Sequence, residues 1–309
     1  MLFRQLEYFV AVATEKHFAR AAQACHVSQP ALSTAITKLE RELNVRLINR
    51  GHSYLGLTPE GDRLVLWAKR VLAEHEAFKE EAAAVRSGVT GTLRLGADPT
   101  ASTTLVLPVA AFCAQHPDAK VRVHSRQSAA ELRRRLLAYE LDAAIGQFAR
   151  DDHESLRVVP LYTERYLLLA AESVVGETGT MTWAEAARLP LALLAPDMAL
   201  RQVIERVFAE RGLTVNPRLE TDSVASLHAQ VRFGVCASIV PHTWSRLMPA
   251  GAGFRAVRLV EPEATTQISV AIRAAGPGSV TARAFAGVAA ALRLDTIFDQ
   301  ALPPAYRAA

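Results

Sequence analysis

Phe18-Ala19-Arg20-Ala21-Ala22-Gln23-Ala24-Cys25-His26-Val27-Ser28-Gln29-Pro30-Ala31-Leu32-Ser33 is the stretch from which the fold can be read. Phe18, Ala21, Ala22 and Cys25 recur at helical spacing. Ser28 then supplies a side-chain oxygen just before Gln29-Pro30. That is an N-cap followed by a proline in the first turn, where its missing N–H is harmless. One helix therefore stops near Cys25 and a second starts near Gln29. A turn of about three residues between them is helix-turn-helix spacing. At about 100° per residue, Leu32, Ile36 and Leu39 fall on the buried side of the second helix. Pro30, Ser33, Thr34, Thr37 and Lys38 fall on the outer side, with Ser28 and Gln29 at its start. Short hydroxyl side chains let a helix approach a major groove and bond phosphates or base edges. The same pattern also suits an ordinary amphipathic helix with a solvated face.

The next segment favours the nucleic-acid reading. Asn49-Arg50-Gly51-His52-Ser53-Tyr54-Leu55-Gly56-Leu57-Thr58 reads as a tight hairpin, with Arg50, His52 and Tyr54 near its tip. Beside a recognition helix such a hairpin is a wing, and Arg and His suit the negative potential of a DNA backbone or minor groove.

With these residues in view, the chain resembles the LysR-type transcriptional regulators. The resemblance is carried in order by Leu6 to Val12, Phe18 to Ala22, Val27 to Leu32, Ile36 with Leu39-Glu40, Leu47 with Arg50, and Leu57 to Gly61. Length and later landmarks extend it over nearly the whole chain. It implies that Gln29, Pro30 and Ser33 lie at the DNA and that Arg50 contacts its backbone. Three positions depart from the family pattern: His17 where Ser is frequent, Asn44 where Gly is usual, and Ile48 in place of Phe. None removes a DNA contact. Asn also tolerates a left-handed turn.

Composition fits a protein of two or three domains with ample core: 309 residues, half of them hydrophobic, at a mean hydropathy of +0.11. No apolar run reaches the length of a membrane span. Arg4, Glu7, Glu15 and Lys16 interrupt any signal-like apolar segment, so a cytoplasmic location and no membrane partner are expected. The net charge is +4, and residues 1–58 hold seven Lys/Arg against four acids, so most of the excess lies in the proposed DNA module. Cys25, Cys113 and Cys236 show no metal or CxxC spacing and read as buried thiols. The resemblance adds that some relatives sense oxidants through cysteine, and that Cys236 stands where Gly is common.

From Pro59 to about Gly88 a single long helix is expected, with Thr58 as cap. Leu64, Ala68, Val71, His75, Phe78, Ala82 and Val85 step by four and three, a heptad seam. The seam predicts a dimer that pairs two DNA modules on an interrupted palindrome, with half-sites ~34 Å or a multiple apart. A helix packed on its own domain is the alternative. The resemblance implies a tetramer built as a dimer of dimers, and RNA polymerase as a partner if the protein activates.

Beyond Ser87-Gly88-Val89-Thr90-Gly91 strands and helices alternate, the mark of an α/β fold. Strands are expected at Thr92 to Gly96, Val121 to Val123, Leu141 to Gly146, Tyr166 to Ala171, Leu191 to Leu194, Ser238 to Pro241 and Gln267 to Arg273. Helices are expected at Ser102 to Gln115, Ser128 (opening a capping box with Glu131) to Tyr139, Met198 to Glu210, Asp222 to Phe233 and Thr281 to Leu292. The resemblance implies a two-lobed, periplasmic-binding-protein-like effector domain. The expected organisation is a winged helix-turn-helix over 1–58, a linker helix over 59–88, an effector domain over 89–295 and a tail over 296–309. Lobe I takes 92–163 and 268–295, and lobe II takes 164–267.

In open parallel sheets ligands sit beyond the carboxyl ends of strands. Those ends carry Thr100, Ser102, Thr103, Gln127, Ser128 and Gln147, with Arg201 facing from the second lobe. Hydroxyls and helix N-termini favour a small anionic effector, expected to be an organic acid. A fainter resemblance, in Arg50 through Gly61, Glu140-Leu141-Asp142 and Tyr162 to Leu169, is to regulators placed beside formate-oxidising enzymes, which implies a formate-like acid. Ser102 and Ser128 also suit a plain capping role. No GxSxG, P-loop, HExxH or GxGxxG occurs, so no enzyme, cofactor or metal site is expected. The sequence-level expectation is a ligand-responsive DNA-binding regulator. Its rival is a cytoplasmic solute-binding protein with an N-terminal dimerisation module.

Overall fold

The computed structural model describes residues 1–50, 54–125, 127–244, 253–276 and 278–299, and leaves the Arg50 side chain outside that description. The chain forms two compact units, one built on residues 1–88 and the other on most of the chain beyond residue 88.

In the first unit, α1 (Phe3–Glu15), α2 (Phe18–Ala24) and α3 (Gln29–Leu43) pack around one core. Leu6, Phe9 and Val12 of α1 meet Ala21 and Ala22 of α2 and Leu32, Ile36 and Leu39 of α3. The α3 trio is the apolar face expected from the sequence. Ser28 Oγ accepts from Ala31 N at 3.4 Å to start α3. Asn44 ends it in a left-handed conformation, φ 52°. His17 fills the capping role of the missing serine: its Nδ1 accepts from Ala19 N at 3.1 Å. Strands β1 (Ile48–Arg50) and β2 (Tyr54–Leu57) pair antiparallel. Glu40 ties α3 to β1 by accepting from the amides of Leu47 and Ile48.

The long helix α4 (Pro59–Ser87) has 29 residues, about 43 Å of rise. Thr58 Oγ1 caps it by accepting from Gly61 N at 2.9 Å while donating to Arg46 O. Gly61 has no substitute here, because a Cβ would lie 2.1 Å from Leu47 O. The expected seam divides. Leu64 and Ala68 pack into the core of their own unit, and His75 stacks on Phe3 with ring centroids 3.9 Å apart. Val71, Phe78 and Val85 stay exposed, joined by Trp67.

The second unit is α/β. Its strands are β3 (Gly91–Ala97), β4 (Ala119–His124), β5 (Ala143–Gly146), β6 (Leu156–Ala171), β7 (Thr180–Thr182), β8 (Ala192–Leu194), β9 (Leu219–Thr221), β10 (Ser238–Pro241), β11 (Phe254–Val260) and β12 (Thr265–Arg273). Its helices are α5 (Val106–Gln115), α6 (Ala129–Leu137), α7 (Glu172–Val175), α8 (Trp183–Ala186), α9 (Ala199–Ala209), α10 (Val224–Arg232), α11 (Val280–Ala291) and α12 (Leu294–Asp299). The main sheet runs β4-β3-β5-β12-β6-β11-β7, with β10 also on β6.

The sixteen residues of β6 serve two lobes. Leu156 to Arg165 pair with β12, and Tyr166 to Ala171 pair with β10 and β11. Each half carries its own core. One gathers Leu93, Leu95, Phe112, Ile145, Ile268 and Phe285, the other Leu167, Leu168, Trp183, Leu193, Ile204 and Phe208. Glu164 and Arg165 therefore lie at the crossing. Two expectations need correction. The helix expected from Ser102 begins as a 3-10 turn over Ala101–Thr103, and the α-helix starts at Val106. The sequence also left β7, β9, β11, α7, α8, α12 and the first half of β6 unassigned. No described helix is long and apolar enough to cross a membrane.

Candidate nucleic-acid interface and effector cleft

On α3, Gln29, Pro30, Thr34 and Lys38 are exposed, with Ser28 exposed at the cap. Ser33 and Thr37 are half-buried, and Thr37 Oγ1 donates to Ser33 O at 2.9 Å, so its hydroxyl is turned along the helix. Four of the six helix positions named from the sequence, with the Ser28 cap, thus form an open polar face backed by Leu32, Ile36 and Leu39. Tyr54 pairs with Arg50 at the tip end of the hairpin, as expected, but its side chain is not open. Its ring is half-buried, edge-on to Phe18 at 6.4 Å, and burial raises its hydroxyl pKa. Its backbone stands beside the loop, while its ring turns back onto Phe18. His52 and the Arg50 side chain lie outside the described residues.

In the second unit a cavity of about 130 Å³ is lined by Pro99, Gln127, Ser128, Asp197, Met198, Ala199 and Asp222. That volume suits a small molecule rather than a single water. Lobe I supplies the loops after β3 and β4, and lobe II the ends of β8 and β9. Ser128 Oγ accepts from Glu131 N at 3.2 Å, the Ser128 half of the expected capping box. Met198 is the N-cap of α9 and offers no side-chain cap, so the first-turn amides of α9 keep donor capacity toward the cleft.

Of the seven effector residues named from the sequence, Gln127 and Ser128 line this cleft. The 98–103 turn absorbs three others. Thr100 is buried, and its amide and hydroxyl both donate to Asp98 Oδ1. Ser102 Oγ donates to Pro99 O at 2.6 Å, and Thr103 Oγ1 to Thr100 O at 2.9 Å. Gln147 is half-buried after β5 and is not among the cleft's lining. Arg201 corrects the expectation outright. Its side chain is 5% exposed and bonds Glu220 at 2.6 Å, Glu205 at 2.8 Å and Leu194 O at 2.9 Å, inside lobe II. A helix register places an arginine near a cleft but does not say which way it turns.

The sequence passed over Asp197 and Asp222. Both follow lobe II strands and immediately precede a helix-capping residue, Met198 or Ser223. The strand-end rule that picked out Ser128 could have found them too. The cleft's described lining thus carries two carboxylates and no Lys or Arg. Arg126, next to Gln127, lies outside the described residues.

Known proteins share this architecture. Residues 3–62 match the model of the bacterial regulatory helix-turn-helix protein, lysR family, and residues 86–292 match the LysR substrate binding domain. A hydrogen peroxide-inducible genes activator of Haemophilus influenzae is 31% identical over 303 residues, covering 94% of this chain and 96% of that protein. Among solved structures, a full-length OxyR variant from Pseudomonas aeruginosa superposes with a TM-score of 0.74 at 26% identity, covering 96% of each chain. Full-length CbnR in complex with its target DNA gives 0.62 at 25% identity, covering 94% of this chain and 99% of that one. With a winged helix-turn-helix followed by a two-lobed effector-binding domain, the chain belongs to the LysR family of DNA-binding transcriptional regulators.

Proposed function

We propose that this regulator reads operator DNA as a dimer or higher oligomer and changes that reading when a small polar metabolite occupies the cleft between its lobes. The observation that carries the effector half is the cleft itself. It joins strand-end loops of both lobes, so an occupant touching Ser128 on one side and the start of α9 on the other favours one lobe arrangement. Differential affinity for two arrangements is what couples a ligand to the spacing of paired DNA modules. Contact with RNA polymerase follows if the outcome is activation. The organic acid expected from the sequence finds helix N-termini here, but Arg201 is committed elsewhere.

The test is a mobility shift of the full-length protein on DNA from immediately upstream of its own gene, across a salt series. Specific binding should weaken as salt rises and be lost in the Ser33→Ala, Arg50→Ala double variant. Small acids, amines and hydrogen peroxide are then screened for altered footprints. Peroxide is included because of the peroxide-inducible relative. Of the three thiols read from the sequence as buried, only Cys236 is so, Cys25 is half-buried, and Cys113, exposed on α5, is the one that peroxide would reach first. Absence of specific binding at every salt concentration would count against an operator next to the gene.

A further inference from the structure

Two buried carboxyls, one of them next in sequence to a residue of the cleft, each keep an oxygen without a hydrogen-bond partner among the described residues. Asp98 precedes Pro99, which lines the cleft, and is 1% exposed. Its Oδ1 takes the Thr100 amide, the Thr100 hydroxyl and the Ala101 amide, but among the described residues its Oδ2 has no partner. Glu164, on β6 at the lobe crossing, is also 1% exposed, and among the described residues its Oε1 has no partner. Tyr162 and Tyr166 flank Glu164 on the same face of β6, two residues either way. Thr104 Oγ1 donates its proton to Ala101 O, so the 2.6 Å bond between Thr104 and Tyr162 uses the tyrosine's proton. The Tyr162 oxygen is left as an acceptor. Gly146 packs close to Asp98 Oδ2, since a Cβ there would lie 3.0 Å from that oxygen and 3.2 Å from Leu132 Cδ1.

A buried carboxylate oxygen without a donor is costly, and two facing the same interior are costlier. A protonated amine is the complementary ligand, with three N–H donors, no acceptor and a positive charge. We propose that Asp98 and Glu164 anchor a positively charged nitrogen, so that the effector is an amine-bearing molecule whose ammonium group sits at the lobe crossing. Ser128, Gln127 and the start of α9 hold the rest of it, and Asp197 and Asp222 add negative potential at the cleft. This rests on the effector-cleft reading above.

The proposal has a protonic signature. Without ligand, burial holds both carboxyls above their ordinary values, with Asp98 adding to the effect on Glu164. The other groups acting on this cluster are Tyr162, Tyr166 and, through Tyr166, Arg206. When the ammonium group binds a carboxylate, the proton that carboxyl held passes to buffer. Uptake of one charge is thus coupled to release of one proton.

The experiment is calorimetry on the full-length protein between pH 6 and 8. The probes are methylammonium chloride and 1,4-diaminobutane dihydrochloride, with sodium formate as the acid and potassium chloride as the ionic control. The expected result is amine binding that tightens by up to about tenfold per pH unit, with heats that depend on the buffer's ionisation enthalpy. Glu164→Gln and Asp98→Asn should each weaken it by tenfold or more and remove the pH dependence. No amine binding, or binding indifferent to pH and to both variants, overturns the proposal, as do equal heats from potassium chloride. If formate binds while the amines stay silent, the charge assignment falls and the effector cleft stands.

Discussion

Glu164 is a test of how the interior handles a carboxyl it cannot satisfy. Its folded pKa is raised well above the ordinary value by burial and by Asp98. The folded state therefore holds a proton that the unfolded state releases above its usual carboxylate range. Stability from this group is complete at low pH and declines as pH rises through and beyond that range. Glu164→Gln removes the decline, so in thermal melts without ligand the variant should melt higher than wild type at pH 7 and level with it near pH 4. A variant that melts lower at pH 7 would mean that the carboxylate is ionised and paired. His242 has the opposite sign. It is 1% exposed, its Nδ1 accepts from Arg165 N at 3.0 Å, and burial pulls its pKa down to about 4 with Arg165 adding to the effect. Unfolded chains take up that proton near pH 6.5, so stability is lost as pH falls from there toward 4. His242→Asn, whose side-chain oxygen can accept from the same amide, should flatten the melting temperature across that window relative to wild type.

The caps show how elements are set by single residues. His17 stands in for the family's serine, and Ala19 and Arg20 donate to its ring nitrogen. His17→Ala should cost about 1 kcal/mol in denaturant melts, the usual worth of an N-cap, while His17→Ser should restore it. Equal stability of wild type and His17→Ala would show that the ring bond contributes nothing. Caps of this kind are why the helices were legible in advance. Ser28, Thr58, Ser128 and Ser223 each accept from the amide three residues on, and each stands in the sequence as a hydroxyl before an apolar period. The strands were less legible where they lack a clean period of two. In β11 two residues are buried, Val257 and Leu259, and the rest are half-covered. In the first half of β6, Pro160 and exposed Arg157 break the run. The candidate cleft was legible as a location, through Gln127 and Ser128. Its chemistry was not, because Thr100, Ser102, Thr103 and Arg201 bond inward and only coordinates reveal which way a polar side chain turns.

At the scale of the whole molecule the open question is what α4 does with its apolar side. The heptad seam written in the sequence is used at its start by the protein's own DNA module, which covers Leu64 and Ala68. Farther along, Val71 is 37% exposed, Phe78 75% and Val85 83%. These three recur every seven residues, the same position of successive heptads. A helix that presents such a row to water gains by covering it, and a second copy of the same helix has the matching period. Pairing two modules in this way raises operator affinity without a new DNA contact, because the second module binds from a high effective concentration. The double variant Phe78→Glu, Val85→Glu tests the argument cleanly, since both side chains are mostly in solvent and their loss should leave the helix content and melting temperature of the module unchanged. Sedimentation should show wild-type dimers or tetramers and smaller species for the variant. On a duplex carrying one half-site the two proteins should bind alike, whereas on the full operator the variant should bind about 10²-fold to 10⁴-fold more weakly. A variant that keeps its oligomeric state and its operator affinity would assign this row of apolar side chains to some other partner, and self-association to another surface of the chain.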